Sequence, residues 1–156
     1  MPRPLRVYVD TSVFGGVFDR EFEKASTEFF ERVRSGEFAV VISAAVSDEL
    51  FKAPGRVQAF YQEHVADIEI AAIDADAVRL QSAYIAAEAI APRWQADALH
   101  VAVATASGCR AIVSWNFKHI VNFRRISMYN GVNIIQGFAP IAIHTPSEVM
   151  TYDDEG

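Results

Sequence analysis

A single cysteine, Cys109, stands in 156 residues, so an intrachain disulfide and a cysteine-based zinc site are both excluded. Preceded by Gly108 in an apolar stretch, Cys109 reads as a small buried residue. Uninterrupted apolar runs of roughly 18 residues are missing as well, which argues against a membrane span. The opening MPRPLRVYVD lacks a signal-peptide layout, because its apolar run is short and meets an aspartate at once. A reducing, cytoplasmic setting is therefore the expectation. Basic residues are in deficit: 14 Lys and Arg face 20 Asp and Glu, for a net charge of −6. That balance argues against binding nucleic acid by bulk electrostatics. It leaves a nuclease open, because a metal site gathers carboxylates and its cations reverse the local field. Two tryptophans and five tyrosines beside eleven phenylalanines point to core packing more than to a stacking surface. No internal repeat, low-complexity tract or linker is visible. No Ser-His-Asp arrangement, Walker loop or HExxH helix is present, and Gly15-Gly16 alone is too little for a phosphate loop.

What is present is alternation. Leu5–Val9 reads as a buried strand between Pro4 and Asp10, with a turn at Gly15-Gly16 after it. Phe22, Ala25, Phe29 and Val33 recur at helical spacing over 21–35, and Gly36 closes that helix from C′. Residues 38–43 form a second strand, and Ser43 is placed to cap a short helix through Leu50 and Phe51, broken at Pro54-Gly55. There follow a helix over 56–65, a strand over 68–73 and an Ala-rich helix over 74–90. A second Ala-rich helix over 97–107 ends at Gly108, before a strand over 111–114. Residues 119–129 read as a helix with Ile120, Phe123, Ile126 and Tyr129 inward, stopped by Asn130-Gly131, and a weak last strand is placed at 132–135. Strands alternating with helices favour one α/β domain over 1–150, with a mostly parallel sheet covered on both faces. The acidic end, 151–156, is expected to be disordered.

In such a sheet ligands bind at the C-terminal ends of strands. Asp10 ends the first strand beside Thr11 and Ser12; its carboxylate either points into that crevice or caps a helix beginning near Ser12. Glu49 lies at the edge of the face shared by Val46 and Leu50, as either a solvated carboxylate or a site residue, with Ser47 and Asp48 as rival positions. Asp97 opens a helix that is otherwise nearly all small or apolar. Either the helix dipole or a metal accounts for a charge there. His100, three residues on, either binds substrate phosphate or is a partly buried histidine bonded to a neighbour. Asn116 occupies another strand-end position, and its amide oxygen can ligate a metal or a metal-bound water. Lys118, His119, Arg124 and Arg125 form the densest basic patch: a solvated face, or phosphate contacts if it borders the crevice. Several carboxylates in one crevice repel one another and persist when a cation offsets them; Mg²⁺ and Mn²⁺ suit hard oxygen ligands.

Taken in order, VYVDTSVFGG, SDEL, DALHVAVATASG and IVSWNFKHI resemble the PIN-domain family, with the VapC-like toxins of prokaryotic type II toxin–antitoxin systems the nearest likeness. The resemblance runs from the first strand to about Ile135. It implies a three-layer α/β/α fold and an Mg²⁺- or Mn²⁺-dependent endoribonuclease. It implies that Asp10, Glu49 and Asp97 hold the metal and, with Asn116, form the catalytic set, supported by Thr11 or Ser12. His100, Lys118, His119 and Arg124 would contact the RNA. An antitoxin partner and a homodimer are implied too, and the aromatics Phe14, Phe18 and Tyr61 serve either such a surface or the core. PIN domains often carry a fourth acidic residue where Asn116 stands. One negative charge fewer leaves a single tightly held metal or a weaker second one, and leaves room for a catalytically weak module that binds RNA or a protein. A phosphatase of the haloacid-dehalogenase type also begins with Asp after a first strand, but it needs a second Asp where this chain has Ser12.

Overall fold

Five short runs rich in β-branched residues build the centre of the molecule. The computed structural model describes residues 3–155. Strands β1 (Leu5–Val9), β2 (Phe38–Ile42), β3 (Glu69–Ile70), β4 (Ala111–Val113) and β5 (Ala142–His144) form one sheet in the order β3-β2-β1-β4-β5. Every pairing is parallel, with Val7 opposite Val40 and Tyr8 opposite Ile112. Parallel neighbours need crossovers, and helices supply them. One helical group is α1 (Thr11–Gly16), α2 (Glu23–Arg34), α3 (Ala44–Phe51), α4 (Gly55–His64) and α8 (Pro146–Glu155). The other is α5 (Ala75–Ala86), α6 (Gln95–Ala106) and α7 (Phe123–Ile135). The result is a three-layer α/β/α fold. Val7, Tyr8 and Val9 on the central strand are fully buried, as two-sided cover requires. No helix among the described residues is long and apolar enough to cross a membrane.

Local chemistry sets several boundaries. Gly36, at φ +90°, sits at C′ of α2; its N–H bonds Val33 O and the Glu37 N–H bonds Arg32 O. Asp74 caps α5 by accepting the Ala77 N–H at 3.0 Å. Ser43 occupies the N-cap position of α3, but its hydroxyl pairs with Tyr8 Oη at 2.9 Å and leaves the helix amides alone. The third strand shrinks to two residues because it lies at the sheet edge and pairs only with β2. Phe14 and Tyr61 belong to the core rather than to a partner surface, meeting edge to face at 5.7 Å; Phe18 is half-buried against Phe60.

The C-terminal third departs from the sequence expectation. A single helix, α7, runs straight through Asn130-Gly131 and over the expected strand at 132–135. Asn122 is the residue that punctuates the chain, accepting the Arg125 N–H. Because the helix starts at 123, Phe123 points outward and is 93% exposed, whereas Ile120 and Tyr129 are buried. Asn130 does not make a turn; it bonds the backbone N–H and carbonyl of Ile141 and so ties α7 to the start of β5. Helix α8 spans Pro146–Glu155, and Gly156 lies outside the described residues.

Asn133, fully buried, accepts from Tyr84 Oη at 2.5 Å and donates to Thr105 Oγ1 and Asn130 Oδ1. Burial pushes the Tyr84 hydroxyl up to about 12, so it stays a donor. Asn133→Ala leaves that hydroxyl only its long 3.5 Å contact to Thr105 Oγ1 and should remove about 1–3 kcal/mol of stability. Urea denaturation measures this; a loss under about 0.5 kcal/mol would show that the network contributes little.

Candidate functional site

Asp10 closes β1 where the sheet changes direction. From β1 the chain fills β2 and β3 on one side, then crosses to β4 and β5 on the other. Open parallel sheets bind ligands at the C-terminal strand ends beside such a switch point. Asp10 occupies the N-cap position of α1 without capping it. It is 4% exposed, and each carboxylate oxygen accepts one hydroxyl: Oδ1 from Ser12 at 2.5 Å and Oδ2 from Ser114 at 2.6 Å. The same two hydroxyls accept the backbone N–H groups of Trp115 and Asn116, each at 2.9 Å. The end of β1 is thus tied to the loop after β4. Burial pushes the Asp10 carboxyl above the ordinary carboxylate range, and the neighbouring Glu49 charge adds to this. His100 and the two serines pull the other way without cancelling it.

Glu49 is held by helix α3 on one flank of Asp10. Its Oε2 accepts from Thr11 Oγ1 and its Oε1 from His100 Nε2, both at 2.8 Å. Burial is the largest single influence on Glu49 and acts upward, but the bonds from His100 and Thr11 and the nearby positive charges bring its carboxyl down. His100 does not face solvent to meet a phosphate. It is 2% exposed, and its Nδ1 lies 2.7 Å from Tyr8 Oη, which continues to Ser43. Burial works against the imidazolium, yet Glu49, Asp10 and Asp97 together raise the His100 pKa. One buried histidine therefore stands in the field of all three carboxylates. As imidazolium, it donates from both nitrogens, to Tyr8 and to Glu49.

Asp97 lies in the first turn of α6, a helix buried at Ala98 and over 100–105, and accepts from His119 Nδ1 at 2.8 Å. His119 is buried and lies against the Trp94 ring, centroids 4.4 Å apart, so it too is a partner of a carboxylate rather than an exposed cation. Asn116 builds the turn that brings His119 there: its Oδ1 accepts the N–H groups of Lys118 and His119. That oxygen is committed to the turn. Lys118 is exposed and 6.0 Å from the Trp94 centroid. Arg125 is spent on the carbonyls of Lys118 and Ala89. Arg124 lines a cavity of about 650 Å³ with Asn122 and Pro92, which none of Asp10, Glu49 and Asp97 enters.

The family model described as PIN domain matches residues 6–118, nearly three quarters of the chain. The chain belongs to the PIN-domain family. Among solved structures, a PIN-like fold is shared with a chain of VapBC2 from Rickettsia felis, crystallised bound to a DNA fragment from their promoter. That match has a TM-score of 0.60 at 15% identity, covering 90% of this chain and 98% of that one. No curated protein matches the chain.

Does this PIN domain suit a divalent metal? Its donors do by chemistry: Asp10, Glu49 and Asp97 offer hard oxygens, and the Glu49 and Asp97 side chains are 43% and 25% exposed. Among the described residues, however, no three His, Cys, Asp or Glu side chains stand ready to enclose an ion. Glu49 and Asp97 each face a histidine instead, and both would have to turn toward Asp10 to share one. Sequence reasoning passed over Ser114, Tyr8 and Ser43. Ser114 was visible only as the last residue of a strand, and its pairing with Asp10 spans 104 positions.

Proposed function

We propose that this PIN domain is a metal-dependent endoribonuclease, the toxin of a toxin–antitoxin pair. PIN domains are generally nucleases, and the likeness to VapBC2 supports the toxin reading. The observation that carries most weight is the buried Asp10, held at the switch point with Glu49 and Asp97 acting on the same histidine. Mg²⁺ or Mn²⁺ would be held by Asp10 and Asp97 and, through water, by Glu49. When bound, such an ion lowers the pKa of water and offsets charge on phosphoryl oxygens. The chain's own residues do the positioning. Ser12 and Ser114 fix Asp10, His100 and Thr11 hold Glu49 in reserve, and His119 does the same for Asp97. Lys118 binds a flanking phosphate, and the free Nδ2 of Asn116 donates to a substrate oxygen. A cognate antitoxin that covers the crevice and a second copy of the chain complete the assembly.

The test is cleavage of a single-stranded RNA with Mg²⁺ or Mn²⁺, with a chelator control. Asp97→Ala should lower the rate by at least about a hundredfold. Equal rates in the two proteins would sink the assignment. The rival, a catalytically weak module that binds RNA or protein, is favoured by the carboxylates' pairing with histidines. Calorimetric titration with Mn²⁺ separates them: no binding below millimolar concentration favours the rival.

A further inference from the structure

We infer that Phe22, Trp115 and Phe117 form a stacking platform for an unpaired RNA base beside the carboxylates; this rests on the ribonuclease reading above. Phe22 and Trp115 lie nearly parallel, centroids 4.2 Å apart and planes 20° apart. Phe117 stands 6.1–6.2 Å from both and is 50% exposed. Isolated exposed phenylalanines are ordinary, but this group is built. Trp115 Nε1 donates to Ser26 Oγ at 2.8 Å, and the indole fits only because residue 16 has no side chain: a Cβ there would lie 2.8 Å from Nε1.

The platform is mechanically part of the site. The Trp115 N–H bonds the Ser12 hydroxyl, which donates to Asp10, and the Asn116 N–H bonds Ser114, which donates to the other Asp10 oxygen. Phe117 is two residues further on, within about 7 Å of chain. A strand whose phosphate reached Asp10 would pass a neighbouring base over these rings. Cations flank the path: exposed Lys118 follows Phe117, and exposed Lys24 shares an open groove with Phe22 and Trp115. Glu21 and Glu28 line the same groove, so its charge is mixed and the rings, not the groove's charge, carry the affinity. Three rings are a small area for a stable protein interface, which buries about 800 Å² on each partner, but suit one or two bases. Stacking tolerates any base and needs a single strand, so it supplies affinity that an acidic surface cannot supply by charge.

Binding of hexauridylate, and of a hexamer of abasic ribose phosphates, is measured in EDTA for wild type, Phe117→Ala and Phe117→Tyr. Phe117→Ala should bind hexauridylate about tenfold more weakly, and Phe117→Tyr like wild type. The abasic hexamer should bind all three proteins equally and weakly. The inference is overturned if Phe117→Ala keeps full affinity for hexauridylate or weakens both oligomers alike. Cleavage assays keep the two readings apart. Wild type and Phe117→Ala cleaving RNA with the same KM removes the platform and leaves the nuclease. A ring-dependent affinity without metal-dependent cleavage leaves the platform and removes the nuclease.

Discussion

Asp10→Asn should lower RNA cleavage by at least about a thousandfold and, in the same protein, raise the melting temperature in EDTA. The two effects share one cause. Asp10 is buried, and burial holds its carboxyl above the ordinary carboxylate range, so folding disfavours the charged form that catalysis needs. The sign follows by linkage. In the unfolded chain Asp10 loses its proton near the ordinary value of about 3.9. In the folded, metal-free protein it keeps that proton to higher pH. Between the two values the folded state binds more protons, so stability falls as pH rises through that window. Asparagine never ionises and escapes the fall. Its Oδ1 keeps one serine hydroxyl and its Nδ2 donates to the second lone pair of the other, whose own proton must turn to a new acceptor, a cost that offsets part of the gain. Melts from pH 4 to 8 in EDTA should therefore show the variant's advantage growing with pH. Mn²⁺ should then raise the melting temperature of wild type but not of the variant. A variant less stable than wild type at pH 7 would mean that the Asp10 charge is already well compensated by His100.

What the sequence makes legible and what it hides follow from the range of the interactions involved. Strand β1 matches its expected bounds because Pro4 and Asp10 flank an apolar run, and α2 stops where Gly36 takes a positive φ. These signals are local. The three-residue strand β5 has no pattern of its own and exists because β4 offers it a partner. Asn130 and Asn133 carry the composition of a turn, and tertiary bonds to Ile141 and Tyr84 override it. The same holds at the site. Asp10, Glu49 and Asp97 can be singled out from strand ends and motifs. That Glu49 pairs with His100, 51 positions away, and Asp97 with His119 is a property of packing. The expectation that the aromatics favour core packing over a stacking surface does not extend to Phe117, which is 50% exposed. Phe117 lies within the turn that Asn116 Oδ1 closes on the Lys118 and His119 N–H groups, a bond set no local pattern announces.

Adjacent glycines in α1 should respond in opposite ways to the same substitution. A Cβ on Gly15 meets nothing within 4 Å, whereas one on Gly16 would lie 2.6 Å from Ser26 Oγ and 2.8 and 2.9 Å from Trp115 Nε1 and Cδ1. Neither residue has a positive φ, so backbone strain does not enter for either. Gly15→Ala should therefore stabilise slightly, by about 0.5–1 kcal/mol, through the helix preference of alanine. Gly16→Ala must move the indole or the helix. Moving the indole breaks its bond to Ser26 and the stack on Phe22, an overpacking cost of about 1–3 kcal/mol. In a chain of this size that is a fall of roughly 3–10 °C in melting temperature. The displacement does not stop at Trp115, because its backbone N–H holds the hydroxyl that holds Asp10. Well below its melting point, Gly16→Ala should still cleave RNA more slowly, by up to about a hundredfold, as a carboxylate shifted by a fraction of an ångström would. Gly15→Ala should cleave like wild type. Thermal melts and single-turnover rates on the pair decide the matter: two variants alike in both measurements would show that the close approach of Trp115 to Gly16 does not govern the geometry of the site.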